Sequence, residues 1–105
     1  MVNVNVKDIT ADDFEVEVLK SDKIVLVDFF ATWCGPCQKM SKVLEQISAD
    51  RPDLKVVRVD IDDNELLARQ FFVRSIPTVV YMKNGKEFNR IVGFTTRDQL
   101  LSIVG

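Results

Sequence analysis

Ile24-Val-Leu-Val-Asp-Phe-Phe-Ala-Thr-Trp-Cys-Gly-Pro-Cys37 joins a run of β-formers to a closely spaced pair of cysteines. From Ile24 to Phe30 only Asp28 is polar, a pattern expected of a strand covered on both faces in the interior of a sheet. Directly after the cysteines, Met40, Val43, Leu44 and Ile47 recur at helical spacing. The stretch therefore predicts a buried strand, a short loop and a helix, in that order, as in an α/β sheet.

Working outward, Val2, Val4 and Val6 alternate with polar residues and predict a short half-buried strand. Thr10-Ala-Asp-Asp13 has capping-box spacing with Asp in the last place, and Ile9 can staple to Phe14, so a first helix is expected through about Leu19. Asp50-Arg-Pro-Asp53 ends the helix that follows the cysteines. Val57, Val59 and Ile61 predict a third strand, and Asp62-Asp-Asn-Glu65 opens a third helix carrying Leu67 and Phe71. Ser75-Ile-Pro77 breaks the chain before Thr78-Val-Val-Tyr-Met82. Asn84-Gly85 is a strong hairpin signal, so Thr78 to Met82 should pair antiparallel with Lys86 to Val92. A last helix begins at Thr95-Thr-Arg-Asp98 and carries Leu100, Leu101, Ile103 and Val104. The order βαβαβαββα implies an α/β fold with a mixed central β-sheet and helices on both faces.

The chain has 105 residues, 47% of them apolar, and residues 1–105 read as a single domain. It contains no histidine. Ser-His-Asp and Cys-His catalytic pairs, His-ligated metals and a histidine pH switch are thereby excluded. With 14 basic and 16 acidic residues and a net charge of −2, nothing supports nucleic-acid binding through phosphate neutralisation. Neither a signal-peptide core nor an apolar run of the ~20 residues needed to span a bilayer is present, so the expectation is a soluble cytoplasmic protein without a membrane partner.

Both cysteines lie in Cys34-Gly-Pro-Cys37, a spacing that random placement would give roughly 2% of the time. Such a pair serves redox chemistry or forms half of a zinc site. Zinc wants four ligands, and with no other Cys or His only a site shared between two chains would complete it. Position favours redox chemistry, because the pair falls at the carboxyl end of a buried strand and the start of a helix. Pro36 suits a first helical turn, where its missing N–H has no partner to lose. Cys34 should then sit among free N–H groups at the positive end of the helix dipole, which favours a thiolate. Lowering a thiol pKa by about one and a half units corresponds to roughly 2 kcal/mol, within reach of that geometry. Cys34 is thus the expected nucleophile. Cys37, one turn further in, is the expected resolving thiol. Asp28 is the nearby candidate base, with a pKa raised by its apolar strand.

Val27-Asp28-Phe29-Phe30-Ala31-Thr32-Trp33-Cys34-Gly35-Pro36-Cys37 closely resembles the active-site segment of the thioredoxin family. The resemblance continues through Val59-Asp-Ile-Asp62, Ser75-Ile-Pro-Thr78, Lys83-Asn-Gly85 and Val92-Gly93, and so covers essentially the whole chain. It implies the thioredoxin fold and a protein-disulfide reductase with a redox-active Cys34–Cys37 disulfide. Cys34 would attack, Cys37 would resolve and Asp28 would assist. Ile76-Pro77 would be the family's cis-proline bond facing the dithiol, and Trp33, Gly35, Pro36, Ile76, Val92 and Gly93 would form a flat docking surface. No cofactor would be bound. A thioredoxin reductase drawing on NADPH would recharge the protein, and its other partners would be disulfide-containing substrate proteins met by a monomer. Gly-Pro between the cysteines resembles the reducing members, whereas oxidant relatives place histidine there.

Four positions depart from the family's common pattern: Phe30 stands where many members carry Trp, Arg58 where they pair Lys with the buried Asp, Lys42 at a helix-kinking proline, and Ser75 at a Gly. Arginine cannot release a proton as lysine can. The alternative function is a redox-inactive binding module, or a subunit of a larger assembly, that uses the same surface.

Overall fold

The computed structural model describes residues 6–105 of the chain. Five strands form one sheet: β1 (Val6–Asp8), β2 (Ile24–Phe30), β3 (Leu54–Asp60), β4 (Thr78–Lys83) and β5 (Lys86–Val92), in the spatial order β1-β3-β2-β4-β5. β2 pairs parallel with β3, which pairs parallel with β1. On its other side β2 meets β4 antiparallel, and β4 meets β5 antiparallel. The three α-helices are α1 (Gly35–Asp50), α2 (Glu65–Gln70) and α3 (Arg97–Ser102). The mixed sheet and the element order are those read from the sequence.

Alternation along β2 divides the core. Val25, Val27 and Phe29 face one side, where Phe14, Val18, Val57, Val59, Leu67 and Val80 pack with them. Leu26 faces the other side with Met40, Leu44, Ile47, Val56, Tyr81 and Leu100. Both faces of β2 are thus covered, which explains why its sequence is a nearly unbroken apolar run. The Tyr81 hydroxyl donates to the Leu100 carbonyl at 2.7 Å and ties α3 to the sheet. Asn84 and Gly85 both have positive φ, 52° and 78°, as a two-residue turn between twisted strands requires. A Cβ on Gly85 would lie 3.2 Å from the Leu19 carbonyl oxygen, so the turn is closely packed as well.

Three local expectations change. The first helix is instead a 3-10 turn at Ala11–Asp13 followed by a wide turn at Glu15–Leu19, in which the Lys20 N–H bonds to the Glu15 carbonyl at 2.9 Å. The segment is short, and Val16 and Val18 lose rotamer freedom in a regular helix. The expected staple pair, Ile9 and Phe14, is nonetheless buried in one cluster. β3 begins at Leu54 rather than Val57, because β2 supplies a partner for every residue from Leu54 to Asp60. β1 runs to Asp8, whereas Val2 and Val4 lie outside the described residues.

Candidate active site

β2 ends at Phe30, and four residues later Cys34 is the N-cap of α1, with extended backbone (φ −93°, ψ 112°). Pro36 occupies the first turn. Cys34 Sγ accepts the Cys37 N–H at 3.2 Å, and the Cys34 N–H donates to the Ala31 carbonyl at 3.2 Å. A helix start thus points its unpaired donors at this sulfur, favouring negative charge there. The two cysteines are joined in a disulfide with Cα atoms 5.3 Å apart. Both cysteines are buried, Cys34 at 6% exposure and Cys37 at 1%, with exposed Trp33, Gly35 and Pro36 around them. Phe30 and Ala31 pack with the pair, and Ile61 and Ile76 lean against them.

The sheet gathers the remaining candidates at this end. Thr78 pairs with Phe29 on β2 and with Val92 on β5, so Ile76-Pro77 and Val92-Gly93 come to the same edge as the cysteines. The Ile76-Pro77 bond is cis, and the Gly93 N–H donates to the Pro77 carbonyl at 2.7 Å. Gly35, Pro36, Trp33 and Val92 are exposed, Ile76 and Gly93 are half-buried, and Pro77 is buried. Trp33, 69% exposed, is held by a 2.8 Å hydrogen bond from its Nε1 to Asp62 Oδ2, while the Asp62 N–H donates to Asp60 Oδ1 at 2.9 Å. Asp62 was not singled out from the sequence. Its proximity follows from the pairing of Asp60 with Phe30, a register that no local pattern displays. Phe94, next to Gly93, is also exposed.

Asp28 is fully buried on the α1 side of the sheet, and neither carboxylate oxygen has a hydrogen-bond partner among the described residues. Burial pushes its pKa up to about 7, with the Arg58 guanidinium pulling the other way and Asp8 adding to the rise. Arg58 Nε lies 3.7 Å from Asp28 Oδ2, so the expected pairing of Arg58 with Asp28 is present as an ion pair without a hydrogen bond. With Lys42 in place of a kinking proline, α1 runs unbroken from Gly35 to Asp50. A cleft of about 420 Å³ opens behind the disulfide, lined by Cys37, Phe30, Arg58, Asp8 and Asp60 among others.

Among the described residues no group of three or more His, Cys, Asp or Glu side chains is placed to hold a metal ion. No helix among them is long and apolar enough to cross a membrane.

The sequence profile of the thioredoxin family matches residues 5–105. A thioredoxin of Mycobacterium bovis is 48% identical over 94 residues, which are 89% of this chain and 81% of that protein. A thioredoxin of Chlamydia trachomatis is 44% identical over 81 residues, 77% of this chain and 79% of the relative. A bifunctional thioredoxin reductase/thioredoxin of Mycobacterium leprae is 45% identical over 95 residues, 90% of this chain but 21% of that longer protein.

Proposed function

Because this chain belongs to the thioredoxin family and carries the Cys34–Cys37 disulfide of a thiol-disulfide oxidoreductase, we propose that it reduces disulfides in other proteins, with Cys34 as nucleophile and Cys37 as resolving thiol. The observation that carries this is Cys34 at the N-cap of α1, its sulfur receiving the Cys37 N–H at an exposed end of the sheet.

In the reduced protein the Cys34 thiolate attacks one sulfur of a target disulfide. That S–S bond breaks, a Cys34–target disulfide forms, and the first target sulfur leaves as a thiolate that takes a proton from water. Asp28, with its proton affinity raised to the neutral range by burial, accepts the Cys37 proton directly or through water. The Cys37 thiolate then attacks Cys34 Sγ, the Cys34–target bond breaks, the second target sulfur leaves as a thiolate that takes up the proton from Asp28, and the intramolecular disulfide closes. Two electrons pass to the target, and the protein ends oxidised, the state of this structure.

Recharging needs a two-electron reductant. The relative in which a thioredoxin reductase and a thioredoxin share one chain supports a thioredoxin reductase as that partner, and NADPH is the proposed source of its electrons. The protein is proposed to act as a monomer of one thioredoxin domain, and a dithiol reductant suits the reducing conditions of the cytoplasm. With NADPH and a thioredoxin reductase present, catalytic amounts of the protein should accelerate reduction of insulin disulfides. Absence of acceleration, with the reductase active on a known thioredoxin, would overturn the proposal.

Trp33, Gly35, Pro36, Ile76, Pro77, Val92 and Gly93 form the proposed docking surface for the target chain. Val92→Asp should raise KM for insulin by roughly tenfold, about 1.4 kcal/mol of lost binding, while the rate with a small-molecule disulfide changes little. Equal loss with both substrates would count against docking here.

A further inference from the structure

Asp8, Arg58 and Asp28 stand in one cross-strand row: Asp8 of β1 is in register with Arg58 of β3, which is in register with Asp28 of β2. Partners in register share a face of the sheet, so the row runs from an exposed carboxylate through a guanidinium to a buried carboxylate. Arg58 Nη1 lies 3.4 Å from Asp8 Oδ1 and its Nε 3.7 Å from Asp28 Oδ2. The guanidinium carbon rests 3.8 Å over the centre of the Phe30 ring, an arrangement that fixes the plane of the fork. A lysine ammonium is a single point of charge, whereas the planar fork of arginine reaches two carboxylates at once.

We propose that Asp8 is a positioning residue for the dithiol chemistry, holding one arm of Arg58 and so limiting how much of the guanidinium charge reaches Asp28. The proposal rests on the reading of Asp28 as the base that takes the Cys37 proton. The other ionisable groups near Asp28 do not compete for it. Tyr81 of β4, on the same face, commits its hydroxyl to the Leu100 carbonyl, and Val79, the β4 partner of Asp28, is apolar. Among the buried residues of α1, Cys37 is the one with an ionisable side chain, held here in the disulfide. Asp60 and Asp63 line the cleft together with Arg58 and Phe30, and Asp60 Oδ1 accepts the Asp62 N–H.

The direction follows from two effects of the same sign. Removing the Asp8 charge takes a like charge away from Asp28, and it frees Arg58 to turn toward the buried carboxylate. Both stabilise the ionised form of Asp28 and lower its proton affinity.

The test is the pH titration of the Asp28 carboxyl carbon, followed by NMR in wild type, Asp8→Asn, Arg58→Met and the double variant. Asp8→Asn should lower the midpoint by about half a pH unit or more, a threefold change in proton affinity. Arg58→Met should raise it, and in that background Asp8→Asn should shift the midpoint less than half as far. Asp8→Glu, which keeps the charge, should restore the wild-type midpoint. An unchanged midpoint in Asp8→Asn overturns the proposal, as does an equal shift with and without Arg58. The pH profile of insulin reduction separates this from the role of Asp28. A profile that moves with the midpoint supports both. A midpoint that moves under a fixed profile supports the tuning by Asp8 and removes Asp28 as the base.

Discussion

Replacing Cys34 with serine is expected to abolish insulin reduction, lowering turnover by about a thousandfold or more. At neutral pH a serine hydroxyl is essentially un-ionised, so the favourable field at the start of α1 has no anion to stabilise. The loss is not only of a better nucleophile. The cycle ends in a bond between two sulfurs, and with oxygen at residue 34 neither the mixed disulfide nor the internal disulfide can form. Because Cys34 is already the N-cap of α1 and serine is a favoured N-cap residue, the helix start should survive the substitution. Thermal unfolding of the reduced proteins separates loss of chemistry from loss of fold. Retained turnover in a folded Cys34→Ser protein would contradict the assignment of the nucleophile.

Asp28→Asn is expected to stabilise the protein above neutral pH by up to about 4 kcal/mol while slowing resolution of the mixed disulfide. The sign follows from proton binding. In the unfolded chain Asp28 titrates near its ordinary value of 3.8, and in the folded protein near about 7. Between those values the folded state binds more protons than the unfolded state, so stability falls as pH rises. Below the lower value the group is neutral in both states and costs nothing in charge burial. Above the upper value the penalty is complete. Asparagine, close in shape to the neutral acid, carries no such penalty at any pH. The stability difference between variant and wild type should therefore open between about pH 4 and pH 7 and then stay constant. Urea unfolding of the disulfide forms at pH 5 and pH 8 measures it, and parallel pH dependences in the two proteins would contradict a buried, desolvated carboxylate. A group that destabilises the fold when ionised is a candidate for a chemical role, which is the one proposed for Asp28.

The centre of the fold was legible because local and tertiary demands coincide there. Ile24 to Phe30 had to be a doubly covered strand, Pro36 and the Met40 to Ile47 stripe had to follow as helix, and Asn84-Gly85 had to turn. Legibility failed where a partner decides the conformation. Lys55 and Arg58 interrupt any apolar pattern in β3, yet pairing with β2 carries that strand from Leu54. The segment from Ala11 to Leu19 buries Phe14 and Val18 without forming a regular helix. In the candidate site, the disulfide pair Cys34 and Cys37 was marked by its spacing and the buried Asp28 by being the lone carboxylate of an apolar strand. Asp62 beneath Trp33 and Asp8 beside Arg58 were not so marked, because each meets a partner far away in sequence and only the pairing of the strands brings them together.

The most direct test of the thiol cycle is to mix reduced Cys37→Ser protein with oxidised insulin and locate any adduct by peptide mass mapping. Without a resolving thiol the reaction should stop after its first step, leaving an insulin chain disulfide-bonded to Cys34 that is released by dithiothreitol. No adduct at Cys34, under conditions where the wild type reduces insulin, would show that this cysteine does not open the target disulfide.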